Sequence, residues 1–391
     1  MNSWIKFIES KNRLGSFLVL GAIIISVLML GQYPFQTSDF INYIFSARIF
    51  SVYKQNPYLL TPNDFSNDLF FNLTQWKDLV TGYGPAWVYL SSIPVVIFKN
   101  NLVFTILGMK ILIASFVFGS GFLIVKLSQK LNDKKLYNKF ILFILSPVVL
   151  VELMINGHND IAMIFFVLLW LWYMQAKRFN IAFTFLWIGV LIKFIPIILL
   201  PLHFSYIFWV KNSAYKLYSK FWQHFLIVLG LTFIFYLPFW NGWHTLDGTF
   251  FLLNLRGLFQ ASPFLALLSI YLPYRIVTGI GFAVFLTVYA VIILKYQPKS
   301  FAKLVNACIF VFVAFMLFAQ WYIMPWYLVW ILPLLLITKH FWHQVGFWFI
   351  NLLWIFILLT RNLHLGSLLT LFLFAFFITI IFPFKLKLKI K

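Results

Sequence analysis

The sequence predicts an all-α protein that crosses a membrane many times. Hydrophobic residues make up 63% of the 391 residues and charged residues only 10%, with a mean hydropathy of +0.93. A soluble globular domain has about 25% charged residues, so this chain cannot cover a water-facing surface. The apolar runs are continuous rather than alternating, which indicates helices and not barrel strands.

The apolar runs correspond to about 12 transmembrane crossings, because a bilayer core about 30 Å thick needs about 20 apolar residues per helix. The run 181–210 is longer and contains Pro196 and Pro201, so we expect a broken hairpin of two short helices there. The runs are 14–33, 102–125, 140–156, 160–176, 181–210, 221–240, 274–295, 303–320, 326–338, 345–360 and 366–384.

The basic residues predict the orientation. The net charge of +21 comes from 30 Lys and Arg against 9 Asp and Glu. The cations form short clusters between apolar runs, which is typical of topology control and contact with anionic membrane lipids rather than of nucleic-acid binding. With the hairpin counted, all the clusters fall on one side, so we expect a multi-pass protein of the plasma membrane with both termini in the cytoplasm.

Two stretches are expected on the opposite side. Residues 34–101 form the first outer loop, and their apolar end, 85–98, is short enough to be a re-entrant or interfacial helix. Residues 241–262 form another outer loop. Most of the acidic residues fall on or near this face, which a reaction site there would explain. No separate soluble domain is visible, so residues 1–391 are interpreted as one integral membrane domain.

Asp39 follows the first apolar run, in the sequence QTSDF. An ionisable group near hydrocarbon is costly, by about 2.5 kcal/mol or more, and so needs a partner or a function. One interpretation makes Asp39 a helix-capping residue. The other interpretation makes Asp39 a carboxylate at the mouth of a cavity. The presence of further acidic residues on the same face favours this second interpretation.

His158, Asn159 and Asp160 stand together in INGHNDIAM, between two apolar runs and shortly after Glu152. Asp160 could cap the helix that starts there, where the helix dipole favours a negative charge. His158 could be an ordinary hydrogen-bonded histidine of the interface. The alternative is that these polar residues bind the substrate.

Lys193 and Arg256 are candidates for holding an anion. Lys193 lies in VLIKFIP, at the expected break of the hairpin. Broken helices with a cation at depth suit an anionic ligand, although a snorkelling lysine is the alternative. Arg256 lies in the outer loop 241–262, and a guanidinium matches phosphate oxygens bidentately.

Gln320, Trp326 and Tyr327 stand in AQWYIMPWYLVW, at an expected outer interface. An aromatic belt explains such a segment. Stacking of a sugar ring on an aromatic side chain is the functional interpretation.

Short motifs occur in a fixed order between residues 39 and 327. They are Asp39 with Tyr43, Asn56-Pro57-Tyr58, Trp76 with Tyr83-Gly84-Pro85, Gly157-His158-Asn159-Asp160, Lys193 with Pro196, and Gln320 with Trp326-Tyr327. In this ordered set the chain resembles the integral-membrane glycosyltransferases with the C-type (GT-C) fold. Within them it resembles the polyprenol-phosphate-mannose-dependent α-1,6-mannosyltransferases of the bacterial cell envelope, and more loosely the first mannosyltransferase of glycolipid-anchor assembly.

The resemblance implies an inverting glycosyltransferase that moves a hexose, mannose in the relatives, from a polyprenyl-phosphate donor to a lipid-linked or glycan acceptor on the non-cytoplasmic side. It implies that Asp39 is the general base and that Tyr43, Tyr58 and Tyr83 belong to the substrate site. A phosphate leaves without strong acid help, whereas the acceptor hydroxyl needs a base. Direct displacement with one base inverts the anomeric carbon, by analogy with inverting glycosidases.

No cofactor is expected. Metal use is in doubt, because SDF carries one aspartate where some relatives have a DxD pair, and the lone Cys308 excludes a multi-cysteine metal site. The short outer loops argue for a lipid or glycan acceptor rather than a folded protein.

Two other functions share several of these features. A transporter or flippase for a lipid-linked sugar would also have many spans and a broken hairpin, although no internal repeat is visible. A wall-polymer ligase would use a lipid-linked oligosaccharide. The clustering of acids on the outer side favours transfer chemistry over both.

Overall fold

The computed structural model describes residues 13–35, 39–131, 133, 135–211, 214–253, 262–338 and 340–360. Within them every regular element is helical, apart from an isolated bridge between Asn241 and Trp243. The all-α prediction is therefore confirmed for this part of the chain. The chain divides into two compact units, Met1–Asn254 and Leu255–Lys391.

The first unit contains α1 to α10 and carries most of the predicted site. The α-helices are α1 (Arg13–Met29), α2 (Asp39–Ser51), α3 (Pro85–Phe98), α4 (Leu102–Gln129), α5 (Leu136–Ile144), α6 (Asp160–Gln175), α7 (Phe179–Ile192), α8 (Leu200–Lys211), α9 (Ala214–Tyr236) and α10 (Asp247–Leu253). Short 3-10 helices cover Pro62–Phe65, Phe71–Leu73, Ile195–Leu199 and His244–Leu246, and a π-helix covers Val149–Ile155.

The second unit contains α11 to α15. They are α11 (Pro263–Ser269), α12 (Tyr274–Val291), α13 (Phe301–Phe318), α14 (Leu332–Ile337) and α15 (Phe341–Thr360). A π-helical turn, Ile292–Tyr296, extends α12, and a 3-10 helix, Pro325–Trp330, precedes α14.

Three described helices are long and apolar enough to cross a membrane: α4, α12 with its π-helical turn, and α13. The pair Leu136–Ile144 and Val149–Ile155 bends by 60° and is a fourth candidate if it counts as one span. Several shorter apolar helices accompany them. These helices make the chain a membrane protein, and the total of about 12 crossings stays a prediction.

The helix starts that frame the site follow local sequence rules. Pro85 stands in the first turn of α3, where a missing backbone N–H costs nothing. Asn101 begins α4, and its side chain accepts a hydrogen bond from the Phe104 backbone N–H at 3.0 Å. At 14 residues, α3 is about 21 Å long, which is shorter than a hydrocarbon core.

The run 181–210 is interrupted. Helix α7 ends at Ile192, Lys193 adopts an extended backbone with φ −151° and ψ 130°, and Pro196 lies in the 3-10 helix that leads into α8. Proline cannot donate a backbone hydrogen bond, and Pro196 stands in the first turn of the 3-10 helix, which accounts for a break in this stretch.

Candidate active site

Asp39 is the first residue of α2, where a carboxylate interacts favourably with the helix dipole. Its Oδ2 accepts a hydrogen bond from the Tyr83 hydroxyl at 3.2 Å, and the side chain is half-buried. Asp39 therefore begins a helix, as in the first interpretation, and also lies beside another predicted site residue, as in the second. The structure places this carboxylate against the end of the first predicted outer loop.

Aromatic rings surround the Asp39–Tyr83 contact. The ring of Tyr43, one turn along α2, packs edge-on against Tyr83 at 4.9 Å and against Trp87 at 5.3 Å between ring centroids. The buried Tyr58 donates its hydroxyl proton to the Tyr83 carbonyl oxygen at 2.7 Å. Tyr58 therefore holds the backbone of Tyr83 in place, while Tyr43 supports its ring.

The ionisation of Tyr83 reflects these surroundings. Burial raises the pKa of its phenol well above 10.0, and the negative charge of Asp39 raises it further. Tyr43 and Asp160 add to the same effect. The hydroxyl therefore stays protonated at neutral pH and can serve as a donor to Asp39.

The GHND turn, Gly157 to Asp160, packs against α2. Gly157 has a φ of +74°, and a Cβ built on it would lie 2.3 Å from Cδ2 of the Phe40 ring. Only glycine fits both the left-handed conformation and this close approach. Two residues later, Asn159 accepts a hydrogen bond from the Tyr43 hydroxyl at 3.3 Å. The turn is thus connected to α2 at both Phe40 and Tyr43.

Asp160 and Lys193 form an ion pair. The ammonium of Lys193 donates to both carboxylate oxygens of Asp160, at 2.8 and 2.9 Å. The Asp160 side chain is fully buried, whereas that of Lys193 keeps 18% of its surface exposed. The positive charge of Lys193 is therefore compensated by a carboxylate, a role that neither the anion-site nor the snorkelling interpretation included.

A backbone contact brings the two parts of the site together. The Gly84 N–H donates to the Ile192 carbonyl at 3.0 Å, next to Lys193. A Cβ on Gly84 would lie 2.0 Å from the Leu191 carbonyl oxygen, so this approach requires glycine. The Tyr83-Gly84 segment consequently touches Asp39 through a side chain and the end of α7 through the backbone.

His158 packs on the preceding π-helix. Its Nε2 lies 3.4 Å from Oε2 of Glu152, and the same oxygen accepts a hydrogen bond from the Asn156 side chain at 3.2 Å. All three side chains are buried. His158 therefore contacts a carboxylate within the protein, two positions before the Asp160 of the Asp160–Lys193 pair.

The remaining predicted residues are elsewhere. Arg256 lies outside the described residues. Gln320, Trp326 and Tyr327 belong to the second unit, where the Gln320 amide donates to the Tyr322 carbonyl at 3.0 Å. Tyr327 stacks on Trp330, with 4.4 Å between ring centroids and 22° between planes.

Sequence reasoning missed a buried ion pair in the first outer loop. Arg48, at the end of α2, contacts Asp68 at 2.7 Å, and its guanidinium also donates to the Lys99 carbonyl at 2.7 Å. Tyr53 donates its hydroxyl proton to Asp68 at 2.6 Å. An arginine in the last turn of a mostly apolar helix was the available signal. The pair attaches the loop to both α2 and the α3–α4 turn.

The described residues include no group of three or more His, Cys, Asp or Glu side chains that could hold a metal ion. The groups available for a reaction are a half-buried carboxylate with a phenol that donates to it, an ion pair with no net charge and a set of aromatic rings. Such a set can take a proton from a hydroxyl group and pack against a sugar.

Comparison with known proteins identifies the family. Residues 10–210 match the model of the N-terminal domain of the alpha-(1->6)-mannopyranosyltransferase family, and this match includes α1 to α7 with every residue of the Asp39 and GHND clusters. A search of curated proteins finds no match. Since the matched region is more than half of the chain, the protein belongs to the alpha-(1->6)-mannopyranosyltransferase family and is a membrane mannosyltransferase.

Proposed function

We propose that this mannosyltransferase takes its sugar from a polyprenyl-phosphate donor and transfers it, with inversion, to a lipid-linked or glycan acceptor on the non-cytoplasmic side. Membership of the family supports mannosyl transfer. The observation that carries the rest is the Asp39 carboxylate, half-buried, held by the Tyr83 hydroxyl and close to the buried Asp160–Lys193 pair.

Asp39 acts as the general base. The acceptor hydroxyl gives its proton to the Asp39 carboxylate while its oxygen forms a bond to the anomeric carbon of mannose. The bond between that carbon and the phosphate oxygen breaks, and the phosphate leaves with the bonding electrons. Attack from the face opposite the phosphate converts a β-linked donor into an α-linked product.

Tyr83 orients the base. A hydrogen bond from a protonated phenol to Oδ2 fixes the direction of the carboxylate without neutralising its charge. Because Tyr58 and the Gly84–Ile192 contact hold the Tyr83 backbone, the Tyr83 hydroxyl is in position before the substrate binds. Such preorganisation lowers the reorganisation needed during the reaction.

The donor is membrane-borne. The sequence contains no glycine-rich phosphate loop and no segment of soluble-domain composition that could bind a nucleotide sugar. A polyprenyl chain delivers the sugar to a site built from short apolar helices, and its phosphate is a good leaving group.

The test is transfer by the purified full chain in lipid vesicles, with radiolabelled polyprenyl-phosphate mannose and an acceptor glycolipid pool. Asp39→Asn keeps the size of the side chain and an acceptor oxygen for Tyr83, and we expect transfer to fall by about 10²- to 10⁴-fold. The matched control is Asp64→Asn, since Asp64 is an exposed carboxylate that contacts Thr61.

Asp64→Asn should transfer mannose at the wild-type rate. Unchanged transfer by Asp39→Asn would refute the assignment of the base. Movement of label between leaflets without formation of new glycan, in the wild-type protein, would favour a transporter over a transferase.

A further inference from the structure

Lys110 is a buried cation in the membrane-capable helix α4. It is 2% exposed, so its side chain lies inside the protein and does not reach a lipid interface. Its position, about 12 Å from the first residue of α4, places it on the third turn of that helix. Buried ionisable groups at membrane depth are costly and mark functional positions.

No carboxylate compensates the charge of Lys110 among the described residues. Of the acidic residues in the chain, only Glu9 lies outside the described part. The other buried Lys and Arg side chains described in the first unit both have acidic partners: Arg48 pairs with Asp68, and Lys139 pairs with Asp133. The partner of the Lys110 ammonium is the Gln32 carbonyl oxygen, a neutral group.

Lys110 lies on the face of α4 that packs against the candidate active site. Ile113, one turn further along the same face, is fully buried, and its Cδ1 lies 3.3 Å from the position of a Cβ on Gly157. The ring of Phe40, the residue after Asp39, packs on the same glycine. Lys110 is therefore one helical turn from the contact between α4, the GHND turn and α2.

The segment that Lys110 holds also leads to the site. Gln32 follows α1, and three residues later the Phe35 backbone N–H donates to the Asn156 side chain at 3.3 Å. Asp39 comes shortly after in the chain. The chain on which the Lys110 ammonium acts is therefore attached to the π-helix and the GHND turn through Phe35 and Asn156.

We propose that Lys110 binds the phosphate group of the lipid-linked donor. This inference rests on the proposed function. An inverting displacement places the base and the leaving group on opposite faces of the sugar, so the phosphate needs a cation separate from the base. Lys193 has its charge compensated by Asp160, whereas no acid in the described part of the chain neutralises the positive charge of Lys110.

Charge development gives this cation its function. The donor phosphate is a diester with one negative charge, and it gains a second when the bond to the anomeric carbon breaks. An ammonium aimed at it therefore interacts more strongly with the departing phosphate than with the donor. The polyprenyl phosphate product should bind more tightly than the mannosylated donor, and Lys110 should account for the difference.

The decisive variant is Lys110→Gln, which keeps a donor for the Gln32 carbonyl but removes the charge. We expect its kcat/KM for polyprenyl-phosphate mannose to fall about 10- to 100-fold, with the KM for the acceptor unchanged. Lys110→Arg should retain most activity. Lys139→Gln is the matched control, because Lys139 is also a buried lysine, and its kinetics for the donor should equal those of the wild type.

Binding is measured separately from transfer, so the two proposals can fail independently. Wild-type protein in nanodiscs should bind short-chain polyprenyl phosphate, and Lys110→Gln should lose this affinity by about the same factor. Inorganic phosphate and phosphatidylglycerol serve as comparison arms. An affinity for phosphatidylglycerol equal to that for polyprenyl phosphate would identify a site for bulk lipid and overturn the donor assignment.

A measurement on the wild-type protein covers the case in which Lys110→Gln does not fold. Polyprenyl phosphate that carries a photoreactive group beside its phosphate should cross-link to the α4 peptide that contains Lys110, as mapped by mass spectrometry. If no cross-link forms there, or if Lys110→Gln folds and transfers mannose with wild-type donor kinetics, the inference is wrong and the proposed function stands. If the wild type transfers no mannose, the proposed function fails and the binding data decide on Lys110.

Discussion

Replacement of Gly157 by alanine tests the geometry of the GHND turn. The left-handed φ of +74° costs a residue with a Cβ about 1–2 kcal/mol. The new methyl group would lie 2.3 Å and 2.7 Å from two atoms of the buried Phe40 ring, and overpacking of this kind costs about 1–3 kcal/mol. We expect Gly157→Ala to lower the free energy of unfolding by about 2–5 kcal/mol.

Two other glycines separate the contributions. Gly242 has a φ of +59°, but a Cβ there would meet no atom of the described residues within 4 Å, so Gly242→Ala should lose only about 1–2 kcal/mol. Gly230 lies inside α9 with the same open space, and alanine there should gain about 0.5–1 kcal/mol. Denaturant or thermal unfolding of the purified variants in one detergent gives the ranking.

The Gly157 substitution should also reduce activity. Relief of the contact requires Phe40 or its backbone to move, and Asp39 is the next residue. Misplacement of a catalytic group by 1 Å can cost about a hundredfold in rate. A Gly157→Ala protein as stable as Gly242→Ala would show that Phe40 does not crowd the turn. A protein as stable as Gly230→Ala would refute the left-handed conformation as well.

Two further substitutions probe the surroundings of Asp39. Tyr83→Phe removes the donor to the Asp39 carboxylate, and we expect transfer to fall about tenfold with the acceptor KM little changed; wild-type kinetics would mean that the base is oriented otherwise. Because the pKa of Tyr83 is raised above 10.0, the stability that this phenol contributes is complete below about pH 10 and is lost as the pH rises further. Tyr83→Phe should therefore lose less stability in alkali than the wild type, as unfolding measured at several pH values will report. Arg48→Met leaves Asp68 buried without a countercharge and should lower the free energy of unfolding by about 3–5 kcal/mol. Lys54→Met, at an exposed position, should change it by less than about 0.5 kcal/mol. Similar values for the two variants would contradict the buried ion pair.

The sequence was sufficient for the all-α class and the family. The all-α class follows from continuous apolar runs, because a membrane leaves the backbone no other way to satisfy its hydrogen bonds. The family follows from an ordered set of polar motifs, and the match over residues 10–210 confirms the resemblance. Both conclusions depend on properties that are visible along the chain without knowledge of which helices are neighbours.

The partners of the charged residues could not be predicted in the same way. The sequence predicts an anion site or a snorkelling residue at Lys193, yet Lys193 pairs with Asp160, which begins a different helix. The sequence does not single out Lys110, because an isolated lysine within a long apolar run gives no indication of whether an acid lies beside it. Charge compensation depends on how helices pack, and one sequence does not contain that information in local form.

The hydrogen bond between Gly84 and Ile192 has a consequence for biosynthesis. The two residues are separated by more than a hundred positions, so the loop leaves the ribosome long before its docking partner exists. At about 5–20 residues per second, this interval lasts roughly 5 to 20 seconds. During that time the nascent loop is without its permanent contact, which forms only after the ribosome has synthesised α7.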